Sequence, residues 1–280
     1  MIDLSMPFNV KREILTEGDF YTEGPAVGVD GKYYFTNLAG GQVIDLREGR
    51  QQGLWAVSSC PNGQVVLEDD THLICDSIEA AVKHFDANGH FTRDLVKGSC
   101  AGLRVYSPND IVTDNSDAFY FTDSVRHTGN IFCKSASGEE SVIASGLDYP
   151  NGLVFSDGGE YLYVAESYAN RILRFKRGKP RPEWIGEVWC DLPKHPSGQL
   201  QSNLPDGLAI DGEGKLWVAH YGMGALQVID TEGEWLATIP TGLPLTSNLC
   251  LLTANSLLVT GGFSEPGPGA LIKLTILAAL

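Results

Sequence analysis

Basic residues are scarce in this chain: 20 Lys and Arg stand against 35 Asp and Glu, a formal charge of −15 with a pI near 4.7. Nucleic acid and anionic membrane surfaces are recognised through basic footprints, so neither is expected as a partner. Long hydrophobic runs are missing too, and no stretch reaches the ~18 apolar residues of a membrane-spanning helix. The opening MIDLSMPFNVKREIL lacks the basic-then-apolar plan of a secretory signal, so a cytoplasmic location is expected. No C-x-x-C pair and no Cys/His spacing suggests zinc. The six cysteines are irregularly spaced, and several lie in apolar runs (Ile74-Cys75, Phe132-Cys133, Leu249-Cys250), so they read as buried thiols rather than disulfides. No Gly/Ser-rich or Pro-rich linker divides the 280 residues, which read as a single domain over 1–280.

What the chain does have is a repeated plan, clearest in Leu147–Phe175: a Pro-Asn-Gly corner, then short apolar runs separated by Gly/Asp/Asn turns. Such runs are hairpin-connected antiparallel strands. LPDGLAIDGEGKLWVAHYGMGALQVID repeats the plan from Leu204, SPNDIVTDNSDAFYFTDS from Ser107 and CPNGQVVLEDDTHLICD from Cys60. TEGPAVGVDGKYYFTN starts it at Thr22, and TSNLCLLTANSLLVTG ends it at Thr246. Each copy carries a side-chain oxygen at its corner: Glu23, Asn62, Asn109, Asn151, Asp206 and Asn248, spaced by 39, 47, 42, 55 and 42 residues. That is the period of propeller blades.

The expected fold is therefore all-β: a six-bladed β-propeller of four-stranded antiparallel blades. Val10–Thr16 is expected to pair beside Ala270–Ile276, so that the N-terminal strand closes the last blade and leaves no open edge. Blades are expected from Gly24 to about Val57, then over Ser58–Gly98 (third strand Val82–Asp86), Ser107–Gly146, from Tyr149, and over Leu204–Gly242 and Leu245–Ile276. The longest excursion, Lys176–Ser202 with Pro180, Pro182, Pro193 and Pro196, should hold an outer strand at Glu183–Asp191 whose Trp184 and Trp189 pack between blades; a lid is the alternative.

The corners precede the first strand of each repeat, the strand that lines a propeller's central channel, so all six should meet at one mouth. Any single Asn or Asp there is an ordinary turn residue. Two carboxylates and four amides sharing a small volume, however, cost several kcal/mol unless something compensates them. One divalent cation would do so. Hard oxygen donors favour Ca²⁺, with Zn²⁺, Mn²⁺ or Mg²⁺ as alternatives. Such an ion can polarise a carbonyl while a carboxylate serves as base, so the reaction class is metal-assisted hydrolysis.

These corners resemble those of the regucalcin (senescence marker protein)/gluconolactonase family of six-bladed propellers, in TEGPAVGVDGKYYFT, SPNDIVTDNSDAFYFTD, YPNGLVFSDGGEYLYVAE with NRILRF, and LPDGLAIDGEGKLWVAHYG with TSN. The resemblance implies that Glu23, Asn151 and Asp206 bind the metal, with Asn109 a fourth ligand or substrate contact. It makes Asp206 the general base or water-orienting group of lactone hydrolysis, with a sugar-derived or other small lactone as the substrate. Where the regucalcin branch carries a sugar-gripping Arg two residues before the Asn, this chain has Ser107; Arg104 lies nearby without being equivalent. Further substrate-contact candidates are Arg104, Asp123 (or a brace for Asn109), Glu166, His220, Asn62 and Asn248, with Tyr106, Tyr149 and Tyr221 as candidate walls. The competing readings are phosphotriester or aryl-ester hydrolysis at the same site, and a non-catalytic propeller with a structural metal. Oligomeric state is left open.

Overall fold

A computed structural model describes residue 4 and residues 7–46, 52–178 and 184–278. The described residues hold strands and three single-turn 3₁₀ segments, with no α-helix among them. Pro180 and Pro182 lie outside the described residues.

Four antiparallel four-stranded sheets follow one another along the chain, opening with Thr22–Val27, Pro61–Val66, Pro108–Thr113 and Pro150–Phe155. Two more four-stranded runs begin at Leu204–Ile210 and Leu245–Thr253; a single residue pair, Tyr221 with Leu245, joins them into one eight-stranded sheet. Phe8–Gly18 pairs antiparallel with Gly269–Ala278 over nearly its whole length, which supplies the last run with its fourth strand from the other end of the chain. This strand and its partner are longer than the expected Val10–Thr16 and Ala270–Ile276. Other bounds shift by a residue or so: the strand expected at Val82–Asp86 is Ala81–Phe85. The outer strand of the fourth sheet is described over Trp184–Asp191.

Burial explains the order of strands within each sheet. Second strands such as HLICD, FYFTD and SLLVTGG are buried throughout. Fourth strands such as FTRDLVK and ESVIASGL are exposed or half-buried at all but one position. The cores lie between neighbouring sheets. Tyr120 and Ile131 pack against Leu162, Val164 and Leu173 of the next sheet, and Tyr163 and Ile172 against Leu216 and Val218 of the one after. Phe35 and Ile44 of the first sheet meet Leu258 and Leu271 of the last run. Each large side chain buried in this way contributes about 2 kcal/mol. Trp184 sits against Tyr120 across one such boundary, with ring centroids 5.9 Å apart, and Trp189 packs against Gly233 across the next. Leading strands touch in cyclic order, the first meeting both the second and the last. All six cysteines are free thiols; Cys75, Cys100 and Cys133 are buried, and Cys60, Cys190 and Cys250 half-buried.

Candidate active site

Every leading strand shifts register against its neighbour at the corner. The shifts fall between Glu23 and Ala26, Pro61 and Gln64, Pro108 and Ile111, Pro150 and Leu153, Pro205 and Leu208, and Thr246 and Asn248. A bulge puts extra residues on one strand and re-aims a side chain out of the sheet. Here it presents the corner oxygens at one end of the leading strands. The glycine after the corner lets neighbouring strands close up: a Cβ on Gly152 would lie 2.2 Å from the Asp206 carbonyl, and one on Gly63 2.8 Å from that of Asn109.

The result is a cavity of about 280 Å³ lined by Glu23, Asn62, Asn109, Asn151 and Asp206, with Ser167 beside them. Tyr21, Tyr149, Tyr168 and Tyr221 form its aromatic wall, and Leu38, Gln201, Leu204 and Glu265 complete it. A more open depression of about 630 Å³ lies at the far ends of the same strands, among the turns of Asp114, Asp157 and Asp211. There Asp114 is engaged by Ser116, Tyr120 and Arg177, and Asp211 by Lys215 and Trp217, as turn-forming carboxylates.

Electrostatically the corner cavity is under-compensated. Burial pushes Glu23 up to about 8, against an ordinary 4.5, and the Asp110 charge adds to the rise. The Gly24 N–H, donating to Glu23 Oε2 at 2.9 Å, pulls the other way. Asp206 is raised well above the usual carboxylate range by burial and by the charges of Glu23, Asp110 and Glu265, partly offset by the Asn151 amide. Asn62 Oδ1 and Asn151 Oδ1 are buried with no hydrogen-bond donor among the described residues, although Asn151 Nδ2 donates to Ser167 Oγ at 3.3 Å. Unsatisfied amide oxygens beside crowded carboxylates fit a hard cation. The described residues contain no cluster of three or more His, Cys, Asp or Glu side chains of the metal-ligating kind. Amides make up the larger part of the corner set.

Most of the remaining candidates lie elsewhere. Asn248 stands behind the cavity, where its side chain interacts with both Glu23 and Asp110. Asp123 is fully buried outside the lining; its Oδ1 accepts the N–H groups of Tyr106 and Ser107 at 3.0 and 2.6 Å, which braces the approach to Asn109. Glu166 does the same a sheet later, accepting the Asp148 N–H at 2.8 Å and pairing with Arg171 at 2.6 Å. Asp76 repeats the device on Ser59. His220 is fully buried away from the cavity, with Nδ1 3.3 Å from Gln227 Nε2, and burial pulls it down to about 4. Arg104 is exposed on the short hairpin Ser99–Cys100/Leu103–Arg104, stacked over Tyr106 and outside the lining. Tyr149 and Tyr221 wall the cavity; Tyr106 is exposed.

Sequence reasoning missed Asp110, Tyr21, Tyr168 and Glu265. Asp110 is buried, held by burial at about 7, and occupies the position that is Gly after four of the other five corners. That departure from the repeat was its one visible signal.

The sequence profile of the SMP-30/gluconolactonase/LRE-like region matches residues 16–262. A gluconolactonase from Zymomonas mobilis is 30% identical over 68% of this chain and 57% of its own length. A lactonase from Staphylococcus saprophyticus is 26% identical over 75% of this chain and 63% of its own. The chain thus spans less than two thirds of either relative. Among solved structures, a gluconolactonase from Xanthomonas campestris superposes with TM-score 0.81 at 25% identity, covering 95% of this chain and 90% of that one. A calcium-binding regucalcin from Agrobacterium tumefaciens gives 0.78 at 22% identity over 98% and 96%, a likeness of fold.

Proposed function

The chain belongs to the SMP-30/gluconolactonase/LRE-like family, and on that premise we propose that it hydrolyses a small lactone to its hydroxy acid in the corner cavity. One observation carries the reading: Glu23, Asn109, Asn151 and Asp206, far apart in sequence, line one cavity. The same reading takes the architecture as six blades, with the eight-stranded sheet counted as two blades bridged at Tyr221 and Leu245. The cyclic contact of leading strands supports it.

A divalent cation, Ca²⁺ foremost, would be held by Glu23, Asn151 and Asp206, with Asn109 as a fourth ligand or substrate contact. Bound there, it balances the two carboxylates and supplies Lewis-acid polarisation of a carbonyl. The protein's own groups do the rest. The Asp206 carboxylate orients a water and accepts its proton as the water oxygen bonds to the lactone carbonyl carbon. The ring C–O bond then breaks, and the proton returns to the ring oxygen as the product hydroxyl. The tyrosine wall packs the ring and excludes bulk water. Asp123 and Glu166 touch no substrate; they fix the segments that precede Asn109 and Asn151.

The test is a lactone panel assayed with chelated protein re-supplied with Ca²⁺, Zn²⁺, Mn²⁺ or Mg²⁺. Turnover restored by one of these ions supports the reading. Failure of every lactone with every ion refutes it and favours a binding role.

A further inference from the structure

Glu265 lies outside all six corners, in the loop between Ser256–Gly262 and Gly269–Ala278, yet it reaches the cavity. The loop is pinned at three points. The Tyr21 N–H donates to Pro266 O at 2.7 Å, the Phe263 N–H to Pro268 O at 2.8 Å, and the Tyr221 hydroxyl to Glu265 Oε1 at 3.0 Å. Tyr21 and Tyr221 meet edge to face, with centroids 6.4 Å apart. The Glu265 carboxylate is thus held at the mouth with only one oxygen engaged by Tyr221.

The charge around it has one sign. Glu23, Asp206 and Glu265 line the cavity, and no Lys, Arg or His does so among the described residues. The cation beside the wall, Arg126, stacks on Tyr168 at 3.6 Å and is already paired with Asp148 at 2.6 Å. Three carboxylates outweigh one divalent cation, so the mouth stays negative with the cation in place.

We propose that Glu265 is a specificity-determining residue: its carboxylate accepts a hydroxyl of an uncharged polyhydroxy lactone and turns away lactones that carry phosphate or carboxylate. This rests on the lactonase reading. An apolar lactone leaves the second carboxylate oxygen without a donor, and an anionic one meets like charge; a neutral hydroxylated ring on tyrosine faces satisfies both.

The experiment compares a neutral aldonolactone with its terminal phosphate ester on wild type, Glu265→Gln and Glu265→Lys. Wild type prefers the neutral substrate, and added salt narrows the gap. Glu265→Gln narrows it roughly ten-fold, as expected for one charge near a dianion in a solvated cleft, and raises KM for the neutral lactone more than it changes kcat. Glu265→Lys narrows it further. An unchanged ratio in both variants, with lactones still turned over, overturns the proposal and leaves the lactonase reading intact. If wild type opens no lactone, calorimetric binding of the corresponding neutral and phosphorylated sugar lactams decides. Discrimination lost in Glu265→Gln supports the role of Glu265 while lactone hydrolysis falls; equal binding in all three proteins overturns the proposal.

Discussion

Glu23→Gln in the metal-stripped protein isolates the electrostatic cost of the corner cavity. Glu23 stands at about 8 in the folded chain against an ordinary 4.5. A carboxyl with a raised folded pKa holds its proton more tightly when folded. Its contribution to stability is therefore complete below pH 4.5 and is lost as the pH rises through 8. The difference corresponds to about 5 kcal/mol at pH 9. Glutamine keeps an oxygen for the Gly24 N–H and removes the charge that presses on Asp206. Equilibrium urea unfolding in the presence of chelator, from pH 5 to pH 9, should show wild type weakening with pH and the variant weakening less, with the variant ahead by several kcal/mol at pH 9. Ca²⁺ at a hundred-fold excess over its Kd should return about 2.7 kcal/mol to wild type. A chelated wild type equally stable at both pH values, or a variant less stable at pH 9, would refute the reasoning.

Asp206→Asn should keep the fold by circular dichroism and lose on the order of 10²–10⁴ in kcat, the usual scale for a general base. Gly152→Ala puts a Cβ 2.2 Å from the Asp206 carbonyl; urea unfolding should show a loss of about 1–3 kcal/mol, the scale of overpacking, together with reduced turnover. Asp123→Ala strips the acceptor from the Tyr106 and Ser107 N–H groups. It should cost about 1–3 kcal/mol, read as a lower melting temperature, and should raise KM if the Asn109 approach loosens. Asp123→Asn, which keeps an acceptor oxygen, should recover most of that loss.

The strand order and the corner oxygens were legible because the repeat writes them six times, each with a turn before and an alternating run after. The bulge that aims Asn62, Asn109, Asn151 and Asp206 was not legible, since register is a property of pairs of strands. Asp123 and Glu166 end matching second strands, in FTD and VAE. Position alone could not say whether they face the cavity or the backbone N–H groups behind it, and they do the second. Arg104 was drawn into the site by its nearness to Asn109 in sequence, whereas a hairpin turns it out to solvent. Glu265 and Tyr168 were invisible for the opposite reason: each sits outside the corners, in a connection between second and third strands, and reaches the mouth only once the leading strands come together. Asp110 showed only as the residue that replaces the glycine of its corner.

The measurement that bears most directly on the account is a crystal structure of the Ca²⁺-loaded protein. It should place one ion within about 2.3–2.6 Å of side-chain oxygens of Glu23, Asn151 and Asp206. An ion bound elsewhere, or a corner cavity whose carboxylates face solvent with no ion between them at saturating Ca²⁺, would contradict it.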